Sequence, residues 1–133
     1  MTLNNEDKQS LIKYRLVQAR ETIDDARLLI DNNKFRSAVN RIYYGMFYSL
    51  LAFGLKHNYE TGKHSKLIGW FNKQFVHAGV FDKKFGRIIN RAYLRRTKGD
   101  YDTYFEFDKE TVNTMFEDMV EFIETIEKSI NIN

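Results

Sequence analysis

The chain has 133 residues, of which 43% are hydrophobic and 15% aromatic, and its formal net charge is +3. This length supports one hydrophobic core, so we expect a single domain over residues 1–133 with its core between about residues 10 and 130. The lack of cysteine excludes disulfides, thiolate zinc sites and cysteine nucleophiles. With no proline and only seven glycines, the composition favours long helices joined by short loops. We therefore predict an all-α protein.

The sequence indicates neither a targeting segment nor a membrane span. Its first ten residues are polar and lack the apolar stretch that a signal peptide needs. No apolar run is long enough to cross a bilayer, and the lack of cysteine is compatible with a reducing compartment. We therefore expect a cytoplasmic protein that has no membrane partner.

The first two predicted helices have different apolar patterns. Residues 6–32 repeat apolar side chains at alternating spacings of four and three, which is typical of a helix in a bundle. Asn32 and Asn33 then interrupt the pattern. Residues 35–56 predict a second helix that is apolar on every side, and such a helix is central or lies at a subunit interface.

A third predicted helix follows a loop at residues 57–63. Apolar side chains recur at helical spacing between Leu67 and Ala78, which predicts one helix over that stretch. His77 and Gly79 supply its C-terminal end, because glycine is the residue most common just after a helix.

The fourth and fifth predicted helices flank a polar, aromatic segment. Residues 82–98 predict a helix that Gly99 ends, and residues 100–107 predict a loop. The fifth helix begins at Asp108, whose side chain can cap free backbone N–H groups. Its apolar positions continue at helical spacing to Ile130.

The fourth predicted helix carries one arginine on its apolar side. At roughly 100° per residue, Arg96 falls in the middle of the face that Ile89 and Tyr93 share. A guanidinium keeps its proton and is costly to bury unpaired, so Arg96 needs an acidic partner, a subunit boundary or an anionic ligand. Arg96 is therefore the candidate site, and an ion pair with Asp100 within the chain is the structural alternative.

A second side of the same helix is basic. Residues 56–98 hold 11 basic and two acidic side chains, whereas residues 99–133 hold two and ten. The acidic segment can neutralise the basic side. Alternatively, the basic side contacts phosphates of a nucleic acid, with an affinity that falls as salt rises. The candidates for contacts with RNA or a nucleotide are Arg87, Arg91, Arg95 and Lys98.

Three segments of the sequence form a recognisable combination. They are Arg41 to Phe47 with its Tyr43-Tyr44 pair, Thr61 to Phe71 with His64-Ser65 inside it, and Arg96 followed by Asp100-Tyr101. In this order and spacing they resemble the small prokaryotic branch of the HEPN superfamily (higher eukaryotes and prokaryotes nucleotide-binding). The resemblance implies an up-and-down bundle of four or five helices. It also implies a homodimer that brings the arginine motifs of two subunits into one cleft.

The same resemblance implies two kinds of activity. Many HEPN proteins are toxin ribonucleases or partners of a minimal nucleotidyltransferase. Their active motif is an arginine, a polar residue and then a histidine, with four to six positions between the arginine and the histidine. Here Arg96 and Thr97 match the first two positions, and Tyr101 stands at the first position open to the histidine. Because the motif histidine is absent, the sequence leaves enzymatic activity open.

Metal-independent cleavage of RNA uses the 2′-hydroxyl as nucleophile, so the protein must stabilise charge on the phosphorane and move two protons. Arg96 suits the first task because its planar fork binds two phosphate oxygens. A phenol is a poor base at neutral pH, although it can donate a hydrogen bond, and His64 is the best remaining proton carrier. A histidine near the start of a helix can equally form hydrogen bonds with the backbone and have no catalytic role. The predicted catalytic residues are Arg96, Asp100, Tyr101 and His64.

No metal ion or cofactor is expected. The three histidines are spaced by seven and 13 positions, which match no compact ligand motif. The aromatic run around Tyr43 and Tyr44 could stack on bases, but its helical spacing favours core or dimer interface.

Two hypotheses about function follow. In the first, a homodimer binds nucleotides or RNA in a cleft lined by Arg95, Arg96, Asp100 and Tyr101, and could cleave RNA as the toxin of a toxin-antitoxin pair. In the second, a non-catalytic module docks a minimal nucleotidyltransferase antitoxin or another protein, and Tyr101 accepts a nucleotidyl group. We expect the homodimer because the second and fourth helices carry more apolar surface than one bundle needs.

Overall fold

A computed structural model describes residues 4–102 and 105–131 of the chain. Within these residues the chain forms five α-helices and no strand, which confirms the all-α prediction. A single π-helical turn, Asn72–Val76, follows the third helix. The helices are α1 (Asn5–Asp31), α2 (Phe35–Lys56), α3 (His64–Phe71), α4 (Lys83–Tyr101) and α5 (Lys109–Asn131).

α1 and α2 form an antiparallel hairpin joined by a short turn. The side-chain amide of Asn32 donates to the Leu28 carbonyl at 2.8 Å, where α1 ends. Asn33 follows with a φ of 59°, in the left-handed region that asparagine adopts more readily than most residues. The two asparagines therefore end the first helix as predicted, and both helices lie within one residue of their predicted bounds.

α2 is the central helix of the bundle, since it contacts each of the other four α-helices. Its neighbours come closest at Gly45. A Cβ at this position would lie 3.2 Å from Thr22 Cγ2 of α1 and 2.3 Å from Met119 Cε of α5. α2 can therefore fit between α1 and α5 because Gly45 has no side chain. The predicted central position of the second helix is confirmed.

The third helix is shorter than predicted. α3 ends at Phe71, and the π turn replaces the continuous helix expected up to Ala78. In this turn the His77 N–H donates to the carbonyl of Asn72, five residues earlier, at 2.8 Å. The turn sets Asn72 against α4, where its Nδ2 donates to Asn90 Oδ1 at 3.1 Å. Apolar periodicity over so few residues does not distinguish a π turn from an α-helix.

The fourth helix is longer than predicted, because Gly99 does not end it. α4 continues to Tyr101, so the first part of the predicted 100–107 loop is helical. Arg36 of α2 donates hydrogen bonds to the carbonyls of Gly99, Asp102 and Phe105, which satisfies acceptors at the end of the helix. Gly99 instead allows close packing, since a Cβ at this position would lie 3.0 Å from the Phe107 ring.

α5 closes the bundle with one apolar side. The Thr111 N–H donates to Asp108 Oδ1 at 2.7 Å, so Asp108 caps this helix as predicted. Four of its six acidic side chains are exposed, while eight apolar side chains between Val112 and Ile130 are buried. Among the described residues, no helix is long and apolar enough to cross a membrane.

The close approach at Gly45 predicts a specific loss of stability. Gly45→Ala should lower the free energy of unfolding by about 1–3 kcal/mol, because the stiff Thr22 side chain cannot move out of the way. The matched control is Gly69→Ala, also in a helix but with open space around it. That change should raise stability by up to about 1 kcal/mol through helix propensity. Urea unfolding of both variants measures the difference, and equal stabilities would contradict the packing at Gly45.

Candidate functional site

Arg96 lies in a half-buried pocket of aromatic and acidic groups. Its side chain is 20% exposed. Nη2 donates to the Tyr44 hydroxyl at 2.9 Å, and Nε lies 2.9 Å from Asp100 Oδ2. The guanidinium carbon is 5.7 Å from the ring centroid of Tyr43 and 5.2 Å from that of Tyr44. The ion pair with Asp100, which the sequence offered as the structural alternative, is therefore present.

The ion pair with Asp100 does not close the pocket. The Asp100 side chain is 32% exposed, and the two residues stand one helical turn apart on α4. Within the described residues, Nε of Arg96 makes no hydrogen bond of normal geometry, even though the carboxylate is close. Asp100 thus neutralises the guanidinium by charge. Because Nε itself is buried, an external acceptor would have to reach the terminal nitrogens of the guanidinium.

His64 joins the same cluster from the start of α3. Its Nδ1 lies 2.7 Å from the Tyr43 hydroxyl, and its ring stacks on Phe47 with centroids 4.0 Å apart. It also meets the Tyr44 ring edge-on, with centroids 5.6 Å apart. Burial, together with the charge of Arg96, lowers the pKa of His64. Both effects favour the neutral imidazole over the imidazolium beside this permanent cation. We call Tyr43, Tyr44, His64, Arg96 and Asp100 the Arg96 cluster.

α2 supplies the aromatic floor of the Arg96 cluster. Tyr43 and Phe47 belong to the core, as the helical spacing predicted, while Tyr44 and Tyr48 stay partly exposed. Burial raises the pKa of Tyr43, so its hydroxyl stays protonated and can either donate to or accept from His64. The floor is therefore rigid and hydrogen-bonded to the imidazole.

Tyr101 is not part of the cluster. It lies five positions after Arg96 on α4, about 140° further round the helix. Its side chain is 80% exposed. The structure thus brings together Arg96, Asp100 and His64 of the four predicted catalytic residues, and it places Tyr101 on the surface of the chain.

The basic side of α4 is partly neutralised by α5. Lys84 Nζ lies 2.6 Å from Glu121 Oε2. Asp118 lines a shallow cleft with Arg91 and Arg95. Burial raises the pKa of Asp118, and the charges of Arg91 and Arg95 act in the opposite direction. These contacts favour the solvated, neutralised interpretation for this part of the helix.

The two remaining basic candidates have other surroundings. Arg87 is exposed, and it borders a separate groove beside the π turn. Lys98 is also exposed, and its Nζ lies 4.8 Å from the ring centroid of Phe105. Both cations are therefore accessible, although neither contacts the Arg96 cluster within the described chain.

Arg41 of α2 is the residue that sequence reasoning missed. Its guanidinium carbon lies 5.2 Å from the ring centroid of Tyr44, the same distance as that of Arg96. The Asn40 side-chain carbonyl accepts from Nε and Nη2 of Arg41 at 3.2 and 2.9 Å. The signal was available, because Arg41 is a lone cation in an otherwise apolar stretch of α2, just as Arg96 is on the apolar side of α4.

Residues that could hold a metal ion do not gather in the part of the chain that the structure describes. No group of three or more histidine or acidic side chains has a suitable arrangement there.

The protein is an all-α bundle in which an arginine and a histidine contact the same tyrosine. These features define a helical protein with a candidate anion site. Residues 12–129 match the HEPN domain family. The chain therefore belongs to this family, in agreement with the resemblance noted from its motifs.

The relatives found by sequence comparison span most of the chain. A Thermotoga maritima protein named "UPF0332 protein" is 40% identical over 124 residues, 93% of this chain and 94% of its own length. The Methanocaldococcus jannaschii protein named "Putative toxin MJ0605" is 33% identical over 128 residues, covering 96% of this chain and 95% of that protein. The similarity thus includes every helix that forms the site.

The electrostatics of the Arg96 cluster predict how His64 titrates. Its pKa should lie below the ordinary value of about 6.5 and should rise in Arg96→Gln, because a positive neighbour is removed. The pKa of His64 is lower in the folded protein than in the unfolded chain. The contribution of neutral His64 to folding stability is therefore complete above about pH 6.5, and it is lost as the pH falls through the pKa of the folded protein. Two-dimensional NMR of the histidine rings measures the pKa of His64 in the wild type and in Arg96→Gln.

His57 provides the internal control for this titration. Its pKa is also lowered, by burial and by the charges of Lys56 and Lys8, so it should not respond to Arg96→Gln. Equal shifts of His57 and His64 in the variant would indicate a general change in the fold and contradict the local coupling.

Proposed function

We propose that this protein is a toxin-type HEPN protein that binds RNA at the Arg96 cluster and cleaves it without a metal ion. The observation that carries the proposal is that Arg96 and His64 both contact Tyr44, with Arg96 bonded to its hydroxyl and His64 against its ring. A permanent cation suits the phosphate, and a neutral imidazole suits proton transfer. The name "toxin" of the Methanocaldococcus relative supports the biological role.

In the proposed reaction, Arg96 holds non-bridging oxygens of the scissile phosphate. The reaction uses the tautomer in which the Nδ1–H of His64 donates to the Tyr43 hydroxyl, so that Nε2 is unprotonated and able to take the proton of the 2′-hydroxyl. The 2′-oxygen forms a bond to phosphorus while the bond from phosphorus to the 5′-oxygen breaks, giving a 2′,3′-cyclic phosphate. The Tyr44 hydroxyl, which already accepts from Arg96, supplies a proton to the leaving oxygen. Water then carries the extra proton from the His64 imidazolium to the Tyr44 phenolate, which restores both groups.

Asp100 acts in this scheme by positioning Arg96. Its carboxylate holds the guanidinium from the adjacent turn of the same helix. Because the side chains of Arg96 and Asp100 both remain partly exposed, the phosphate can reach Arg96 without breaking a buried ion pair. The histidine missing from the family motif is thus replaced by one from α3 rather than by Tyr101.

The second candidate function is an interaction module that docks a nucleotidyltransferase antitoxin. The high exposure of Tyr101, at the last turn of α4, favours it. An accessible phenol on a rigid helix is suitable for receiving a nucleotidyl group. This function needs no cleavage by the Arg96 cluster, so an activity test separates it from the first.

Cleavage of single-stranded RNA in excess EDTA tests the proposal. The wild type should cleave, Arg96→Ala should lose about 10²–10³-fold in rate, and His64→Ala about 10²–10⁴-fold. The matched controls are Arg27→Ala, a cation on α1 that packs on Phe116, and His57→Ala. Gel analysis with end-labelled RNA measures the rates. No cleavage by the wild type, or equal losses in the controls, would leave the interaction module as the better interpretation.

We also propose that the protein forms a homodimer through the outer side of α4. Leu94 and Tyr101 are seven positions apart and share one side of this helix, with exposures of 65% and 80%. A twofold interface along this side would place the α4 helices of two copies next to each other. The toxin-type role further suggests an antitoxin protein as a second partner.

A charge on the outer side of α4 should separate the subunits. Leu94→Glu should give a monomer at micromolar concentration, because an unpaired carboxylate would be buried in the interface. Val80→Glu is the matched control, since Val80 is 64% exposed and lies outside α4. Light scattering measures the mass of each variant. A monomeric wild type, or a Leu94→Glu dimer as stable as the control, would overturn the proposed interface.

A further inference from the structure

Two arginines from different helices contact one tyrosine ring. Arg41 of α2 and Arg96 of α4 each place a guanidinium carbon 5.2 Å from the ring centroid of Tyr44. Their charges can therefore be no farther apart than twice that distance. Like charges held this close repel each other, and aromatic contacts offset that repulsion only in part. The arrangement favours a ligand with more than one negative charge.

An open groove of about 380 Å³ lies beside this pair. It runs between the start of α2 and the end of α4. Asp100 links it to the Arg96 cluster, since this carboxylate both lines the groove and pairs with Arg96. The groove is lined by Leu29, Arg36, Ser37, Asn40, Arg41 and Asp100.

The groove is positively charged. The guanidinium groups of Arg36 and Arg41 line it together with the carboxylate of Asp100, and that carboxylate is paired with Arg96. Arg36 donates to backbone carbonyls and is held in place by them, but carbonyls leave its charge uncompensated. Arg41 forms no ion pair with any described residue, and an amide oxygen is its hydrogen-bond acceptor. Such a groove attracts anions and repels cations.

We infer that Arg41 binds a second phosphate of the strand whose scissile phosphate lies at Arg96. The inference rests on the proposed function and specifies its substrate as a nucleotide strand with adjacent phosphates, not a mononucleotide. The separation of the two guanidinium groups is within reach of neighbouring phosphates on one strand. Each guanidinium then contacts one phosphate through N–H groups that the protein leaves unbonded, and Tyr44 lies beside both.

The binding of single-stranded RNA and of a mononucleotide tests this assignment. Arg41→Ala should weaken binding of a fluorescent RNA octamer about tenfold and lower the slope of log affinity against log salt by roughly 0.7, the value for one lost phosphate contact on a single strand. It should leave the affinity for adenosine monophosphate unchanged, because that ligand occupies only Arg96. Arg41→Lys should keep most of the slope, since the charge remains. Arg96→Ala should weaken both ligands.

Arg15→Ala is the matched control. Arg15 also pairs with an amide oxygen, that of Gln18, and with a tyrosine ring, that of Tyr14, but it lies on α1 away from the groove. An Arg41→Ala variant that binds RNA like the Arg15→Ala control would overturn the inference and leave the proposed function intact. Equal weakening of RNA and mononucleotide would also overturn it. If the wild type binds neither ligand, the proposed function fails and the inference fails with it. Thermal melting of Arg41→Lys confirms that the position tolerates substitution.

Discussion

The fold and the site depend on how one permanent charge is held among aromatic rings. Arg96 cannot lose its proton, and its place on α4 faces the tyrosines of α2. The structure satisfies the charge with a carboxylate one turn away, a phenol oxygen and two ring faces. These contacts are the same ones that dock the end of α4 on the centre of α2. A substitution at Arg96 therefore affects packing and ligand binding together, which is why matched controls with retained folds are needed.

The intrachain ion pair and the binding of an external anion are compatible in this arrangement. A partly exposed pair between residues one turn apart contributes only about 0.3–0.5 kcal/mol, because solvent screens it. A phosphate that takes two hydrogen bonds from a guanidinium offers a charge-assisted contact of greater strength. Asp100 thus neutralises Arg96, and it would compete only weakly with the phosphate of the proposed substrate. Under the proposed function, the two interpretations that the sequence left open would describe two states of one site.

The helices could be predicted from the sequence because apolar periodicity is a local signal, and α2 even revealed its central position by being apolar all round. Helix ends depended on distant contacts, such as Arg36 at the end of α4 and Asn90 beside the π turn. In the site, Arg96 and Asp100 could be predicted as a pair because they share one helix. The contact of His64 with Tyr43 joins residues 21 positions apart and needed the fold. Tyr101 was grouped with Arg96 by motif spacing, yet the helical rotation between them separates the side chains.

The uneven charge of the chain has two different consequences in the fold. α5 carries many acidic residues and lies against the basic side of α4. There Glu121 pairs with Lys84, and Asp118 faces Arg91. This pairing removes much of the basic field from that side. At the other edge of α4, toward the start of α2, the described residues that line the groove include two arginines and one carboxylate, that of Asp100, so positive charge is in excess. Neutralisation on one side therefore concentrates the attraction for anions at the groove next to Arg96, where a phosphate strand would meet His64.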